Sequence, residues 1–309
     1  LADPRSPEAA RAQAARQLAR LAEAGVAGAD PEQWWGVKGA STSEKLPRRR
    51  GLSPSRIESL LQCPMREVLE RIVGLDETPE MIYGSMAHAY LEALGRGVDT
   101  QTARDAVIAA RTAAEQGPGW KTGRDLEDFS AMLDRIDNWL ASSRSAFEQV
   151  AVEAEVDVDV DAAAGARIKG RIDRLERDES GALYVIDLKT GSSVPSQADT
   201  EVNAQLLAYQ LALRLGEFVD GRVSTASQAA TVVGGALLVY PNAQKKTLTT
   251  RQQAPKSDAE LAEFAALIAP LIREMEGPEL TARTGKHCDN CKVRQLCPVQ
   301  PEGMVVTNG

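Results

Sequence analysis

The 309-residue chain lacks the long apolar runs, the cysteine density and the nucleotide-binding loop that would place it in several common classes. It has no stretch of eighteen apolar residues and no basic-then-apolar leader, so neither a spanning helix nor a secretory signal is predicted and a cytoplasmic location is expected. Aromatic residues make up only 4%, too few for an extended stacking platform. Histidines number two, and cysteines four, too few for a disulfide scaffold and better suited to ligating a metal group. No G-x4-G-K-[ST] occurs: Gly165 to Arg171 has the glycine spacing but Arg171 in place of lysine, and Gly285-Lys286 lacks the upstream glycine. An ATPase site is therefore not expected. The formal charge of −8 argues against coating a polyanion by bulk electrostatics, although it permits a site whose carboxylates hold cations.

What is present is an ordinary globular composition, 43% hydrophobic and 26% charged, enough to bury a core. Ser6-Pro7 predicts a helix start, with a helix ending near Gly25. Residues 27–51, with Trp34, Trp35 and Arg48-Arg49-Arg50, show no sustained period and read as a linker arm. Because residue 1 is Leu, this lead-in suggests a piece of a longer polypeptide. Ser53-Pro54 opens a second predicted helix to about Gln62, which leaves Cys63-Pro64 at a helix end, and a further helix follows from Met65 to Val73. From Tyr83 to Val150 the pattern is helical throughout, with Leu126, Phe129, Leu133, Ile136 and Leu140 forming an amphipathic stripe.

At residue 151 the period changes to two. Val152, Ala154, Val156, Val158 and Val160 alternate with Glu153, Glu155, Asp157, Asp159 and Asp161, a half-buried strand with one acidic face. Strands over Arg167–Glu176 and Ala182–Lys189 complete a meander. A helix from about Glu201 to Leu215, an apolar strand Ala236–Tyr240 and a helix from Asp258 to about Glu276 follow. The fold class is α+β, with a central mixed sheet containing the meander and a large N-terminal helical part. On the third meander strand Asp187 and Lys189 share a face, and the turn brings Asp173 of the neighbouring strand close to Asp187. Two carboxylates converging beside a lysine suit metal-assisted phosphodiester hydrolysis, in which the acids hold Mg²⁺ and the lysine positions water or offsets developing charge.

Gly84-x-x-x-His88, Gly170-Arg171-Ile172-Asp173, Asp187-Leu188-Lys189-Thr190-Gly191 and Gln205-x-x-x-Tyr209 stand in an order that resembles the PD-(D/E)XK nucleases, and within them the RecB-like branch. The resemblance implies a restriction-endonuclease-like fold. It implies Mg²⁺ or Mn²⁺ held by His88, Asp173, Asp187 and the Leu188 carbonyl, a catalytic Lys189, and Gln205 and Tyr209 beside the site touching substrate. A further acidic residue falls on Glu153 or Glu155, and strand parity does not choose between them. A lone histidine on a helix is ordinarily a packed or surface side chain, and His88 is singled out by its motif alone. His287, beside Cys288, reads as a solvated loop residue.

Cys63 upstream and C-x2-C-x5-C at Cys288, Cys291 and Cys297 resemble the four-cysteine pattern that binds a [4Fe-4S] cluster in a subset of RecB-like nucleases. By that resemblance the cluster staples the N- and C-terminal parts; thiolates alone suit iron–sulfur or zinc. The expected organisation is a helical lead-in over residues 1–50, a nuclease domain over 51–299 and a tail over 300–309. The lead-in is similar to the segment before the nuclease modules of bacterial helicase-nucleases of the AdnAB and AddB type. The resemblance thus implies a DNase acting on single-stranded DNA ends delivered by a helicase motor or partner subunit, in double-strand-break resection and recombinational repair. An autonomous CRISPR-adaptation-type nuclease and a catalytically idle DNA-end-binding module are the competing readings. Lys169, Arg171, Lys245, Lys246 and Arg251 are candidate phosphate contacts.

Overall fold

A computed structural model describes residues 7–30, 44–45, 51–74, 79–114, 119–226, 231–241, 248–277 and 279–301, with the side chains of 79–80 and 119–122 left out. The linker residues Trp34, Trp35 and Arg48 to Arg50, the lysines Lys245 and Lys246 and the tail from 302 lie outside the described residues. The chain divides into two compact units, residues 49–58 with 76–270, and residues 1–48 with 59–75 and 271–309.

Along the chain, α1 (Glu8–Glu23) has Pro7 as its N-cap and buries none of its residues; Ser6 lies outside the described residues. Strand β1 (Gly51–Leu52) leads into α2 (Pro54–Gln62), whose first turn is capped by the Ser53 hydroxyl accepting from the Arg56 amide at 3.3 Å. Helix α3 (Pro64–Val73) has Cys63 as its N-cap and Pro64 in its first turn, as the Cys63-Pro64 spacing predicts. Then come α4 (Pro79–Gly95), α5 (Thr100–Ala114) and α6 (Gly119–Ser143). Helix does not continue to Val150: β2 (Phe147–Asp161) already starts at Phe147, because that residue pairs with Asp178 of the next strand.

The meander is β2, β3 (Ala166–Asp178) and β4 (Leu183–Leu188), all antiparallel neighbours. The predicted helix from Glu201 is two helices, α7 (Gln197–Glu201) and α8 (Ala204–Leu215). Between them Asn203 leaves helical geometry and caps α8 through its own side chain, accepting from the Leu206 amide at 2.9 Å. The carbonyls of Thr200, Glu201 and Asn203 at this break all accept from the buried Gln253 amide at 3.0, 3.2 and 3.1 Å. The sequence pattern did not predict the hairpin of β5 (Gly216–Val219) and β6 (Arg222–Thr225). Its turn is Asp220-Gly221, both at positive φ, the pair that a tight two-residue hairpin favours. Strands β7 (Val233–Tyr240) and β8 (Thr249–Gln253) and helix α9 (Asp258–Met275) complete the elements.

The sheet runs β5-β6-β2-β3-β4-β7-β8, with β1 pairing β3 off this path. It is mixed: β4 and β7 are parallel, as are β2 and β6, while the meander and β7–β8 are antiparallel. Alternation along β4 sends Ile186 and Leu188 into a core shared with Tyr90 and Leu91 of α4, Val107 of α5 and Leu133 and Ile136 of α6. Asp187 points the other way, toward α8, where it meets Gln205. Helices therefore flank both faces of the central strands, consistent with a restriction-endonuclease-like α+β architecture. Among the described residues no helix is long and apolar enough to cross a membrane.

Leu133 is fully buried where α6 meets the sheet-facing core. Leu133→Ala should lower unfolding free energy by about 2–5 kcal/mol in urea denaturation, because both transfer energy and a residual cavity count against it. A loss under about 1 kcal/mol would mean this helix is not packed as described.

Candidate active site

The site forms where two neighbouring strands stop pairing. The β3–β4 ladder runs from Arg177↔Leu183 to Arg174↔Ile186 and ends there. Past that point the Leu188 amide, which a continued ladder would use, donates instead to the Asp173 carboxylate at 2.8 Å, while β4 keeps its partner β7 through Lys189 N–H to the Val239 carbonyl at 2.8 Å. The splayed end presents Asp173 and Asp187 from adjacent strands, as the turn geometry predicts.

Helix α4 supplies His88, whose Nδ1 lies 3.3 Å from Asp173 Oδ2. The approach depends on Gly84, one turn earlier on the same helix: a Cβ there would stand 2.8 Å from Thr190 Oγ1. Gly170 plays a similar part on β3, since a Cβ would meet Pro54 Cδ at 3.1 Å. Both motif glycines thus sit at close approaches, α4 against Thr190 just past β4 and β3 against the first residue of α2.

Parity along β2 left Glu153 and Glu155 equivalent, and the geometry separates them. Glu155 is exposed and 3.9 Å from Arg222, whereas Glu153 turns inward with φ +49°. That left-handed backbone is uncommon for a non-glycine residue and costs on the order of 1–2 kcal/mol. His88, Glu153 and Asp173 each offer a ligand atom, and these lie within 4.8 Å of one another.

Asp187 is buried and bound on both sides. Gln205 Nε2 donates to its Oδ1 at 2.7 Å, and the Lys189 ammonium lies 2.8 Å from Oδ2. Gln205 also accepts from Lys189 Nζ at 2.7 Å, so the one amide bridges acid and base. Tyr209, one turn on, is buried and donates its hydroxyl to the Arg171 carbonyl at 2.9 Å. Arg251 donates to the Pro195 and Thr250 carbonyls, Lys169 faces Asp157 at 3.9 Å, and Arg171 faces Glu153 at 3.9 Å.

The electrostatics of the cluster are those of too many acids. Burial pushes the Asp187 carboxyl up, and Asp173 adds to this against the pull of Lys189. Burial likewise raises Glu153, helped by Asp173 and Glu92. Burial alone would lower His88, but Asp173, Asp187 and Glu153 together hold its imidazole above the ordinary value. A cation among His88, Glu153 and Asp173 would relieve this repulsion, and the oxygen and imidazole donors suit a hard or borderline divalent ion. The residues present therefore fit a divalent metal. Glu58 of α2, which the sequence did not single out, is hydrogen-bonded by Asn203 at 2.8 Å, and burial raises it against the nearby Lys189 charge.

The four thiols lie in the other unit and are free of disulfides. Cys63 and Cys297 pack together with Met65, Leu69, Leu280 and Leu296. Cys63 Sγ accepts from the Arg66 and Arg283 amides, each at 3.5 Å, and Cys288 Sγ stands 4.0 Å from the Arg283 carbonyl. Burial pushes the Cys291 thiol up, with Glu70 and Cys297 acting in the same direction. His287, in the same unit as the thiols, has its Nε2 2.9 Å from the Arg283 carbonyl.

Residues 51–298 match the family model described as PD-(D/E)XK nuclease superfamily. No curated protein matches the chain. Among solved structures, the crystal structure of SSO0001 is 16% identical, with a TM-score of 0.35 over 82% of this chain and 89% of that one.

The Gly84 contact gives a sign to test. On an open helix, glycine to alanine gains about 1 kcal/mol from propensity alone. Here the Thr190 hydroxyl, stiff on a β-branched side chain, should cancel that gain and leave Gly84→Ala destabilised by about 1–3 kcal/mol. Adding Thr190→Ala should recover most of it in thermal unfolding. Simple additivity of the two substitutions would show that the contact does not constrain α4.

Proposed function

The chain belongs to the PD-(D/E)XK nuclease superfamily, and on that basis we propose that it is a Mg²⁺- or Mn²⁺-dependent deoxyribonuclease of the RecB-like branch, with residues 51–299 as its nuclease domain. The observation that carries the reading is the convergence of His88, Glu153 and Asp173 within 4.8 Å beside the Asp187–Lys189–Gln205 bridge. His88, Asp173, Asp187 and the Leu188 carbonyl would hold the cation, with Glu153 as a further donor. A divalent ion held there would polarise the scissile phosphate and make hydroxide available from bound water.

The remaining chemistry belongs to the chain. Lys189 sits at the open end of β4 with its ammonium shared between Asp187 and Gln205, so it is poised to hold a water or to offset charge on a phosphoryl oxygen. Gln205 keeps Lys189 and Asp187 in register by donating to one and accepting from the other. Tyr209 holds the Arg171 carbonyl and so braces the strand that carries Asp173. The Asp173 carboxylate, already receiving the Leu188 amide through Oδ2, retains lone pairs for a cation.

The four cysteines are assigned to a [4Fe-4S] cluster. Support comes from their order along the chain, from the amide N–H groups aimed at Cys63 Sγ, and from the apolar shell around Cys63 and Cys297. The lead-in before residue 51 supports a place beside a helicase motor that delivers single-stranded DNA ends for resection.

The deciding experiment incubates the protein with end-labelled single- and double-stranded DNA, with and without Mg²⁺ or Mn²⁺. Metal-dependent cleavage is expected, favouring single strands. Asp187→Ala should reduce it to background with the fold intact. Lys189→Ala should lose on the order of 10²–10³-fold in rate while keeping metal affinity, since a lysine is not a ligand. DNA-end binding without cleavage by the wild type would instead mark a catalytically idle module.

Iron analysis tests the thiols separately. The purified protein should be brown with about four irons per chain. Cys63→Ala should lose iron and stability, because the loop it closes exceeds two hundred residues, and where still folded it should keep a wild-type Mg²⁺ dependence. A colourless protein with one zinc per chain would overturn the cluster.

A further inference from the structure

The bridge made by Gln205 depends on where α8 begins; Leu206 in its first turn is fully buried, but the residue before its cap is not. Val202, immediately before the cap, is 72% exposed. The junction between α7 and α8 is held by polar contacts instead, and they converge on Asn203. Its side-chain oxygen accepts from the Leu206 amide at 2.9 Å, and its carbonyl accepts from Gln253 Nε2 at 3.1 Å. Its carbonyl also accepts from the Leu207 amide at 3.0 Å. Its backbone N–H donates to the Thr200 carbonyl at 3.1 Å, and its side-chain NH₂ donates to Glu58 Oε1 at 2.8 Å. An asparagine amide rotates as one plane, so the bond from its NH₂ to Glu58 also orients the oxygen that caps Leu206.

We propose that Glu58 is a positioning residue of the nuclease site, fixing through Asn203 the first turn of α8 and hence the Gln205 bridge between Asp187 and Lys189. The inference rests on the nuclease reading above for its effect on rate, although not for its effect on α8. Glu58 lies 145 residues before Asn203, so this one hydrogen bond ties α2 to the helix that carries the bridging amide. Its carboxylate is partly buried, a costly placement unless the group is bonded. Asn203 and the neighbouring Lys189 charge meet that need, and they ease the upward push that burial gives its carboxyl. A glutamine at 58 would keep the acceptor oxygen, whereas an alanine would remove it.

Glu58→Gln, Glu58→Ala, Asn203→Ser and the Glu58→Ala/Asn203→Ser double variant of the full chain decide the matter by two readouts. A serine at 203 keeps an N-cap oxygen but is too short to reach Glu58. In the first readout, steady-state cleavage, Glu58→Ala and Asn203→Ser should each lower kcat by about tenfold at unchanged KM, the effect of losing one partly buried hydrogen bond. The double variant should be no worse than either single, and Glu58→Gln should stay within about twofold of wild type.

In the second, hydrogen exchange, the amides of Leu206 and Leu207 should lose protection in Glu58→Ala, while that of Ile172 in β3 does not change. Wild-type kcat together with wild-type exchange in Glu58→Ala would overturn the proposal. So would additive losses in the double variant, a change confined to KM, or a Glu58→Gln as impaired as Glu58→Ala. If Glu58→Ala does not fold, Asn203→Ser carries the same comparison. A wild type that cleaves nothing would sink the nuclease reading alone, and the exchange measurement would still decide whether Glu58 positions α8.

Discussion

The site depends on the parting of β3 and β4 after the Arg174↔Ile186 pair. Continued pairing would occupy the Leu188 amide with backbone and hold Asp173 flat against its neighbour. Because the ladder ends, a side chain replaces a backbone acceptor at the Leu188 amide, and a carboxylate is placed at the strand end with its orientation fixed. The parallel partner β7 keeps β4 straight to Lys189, so only one of the two strands departs. From this one separation follow the approach of α4 and His88 from one face and of α8 and Gln205 from the other.

That arrangement concentrates cost at one place. Glu153 takes a left-handed backbone, buried Asp187 and half-buried Glu153 are raised by burial, and His88 is held up by three acids. Such features persist only when the surroundings over-determine them. Here the surroundings are the fully buried Ile172, Ile186 and Leu188, which lock the strands, and Tyr90, Leu91 and Leu133, which lock the helices against them. Stability is therefore located in the core beneath the site and strain in the site itself.

Much of this was legible in the sequence where one residue type served one period. The acidic alternation of β2, the meander, the Ser53-Pro54 helix start and the Asp187 and Lys189 face all follow from periods of two or from capping chemistry. The β5–β6 hairpin was missed although Asp220-Gly221 is a turn signal, because four-residue strands leave too short an alternation to count. The break at Asn203 was hidden because the apolar pattern runs on through it, and the side chain that braces its carbonyls, Gln253, is some fifty residues away. The choice of Glu153 over Glu155 could not be read from parity at all. It turns on one positive φ, a backbone property that a charged residue type does not announce. Glu58 was invisible for a related reason: its importance rests on a partner 145 residues distant.

The acidic face of β2 also bears on how a polyanion could approach. Its carboxylates are matched across the sheet by cations: Arg167 reaches Asp157 and Asp159 at 2.9 and 3.1 Å, and Arg222 reaches Asp157 at 3.5 Å. These cross-strand pairs already engage Arg167 and Arg222, consistent with a chain whose net charge is −8. Under the nuclease reading, a phosphate arriving at Asp173 and Glu153 would meet like charge, since Arg171 already faces Glu153 and Lys189 is already paired with Asp187. A divalent ion held among those acids would offset that like charge and favour the approach of a phosphate. Ion binding and substrate capture would then be coupled electrostatically. On this view the sheet's cations serve to hold its own acids in place, and the attraction for the substrate would come from the ion at the splayed end of β3 and β4.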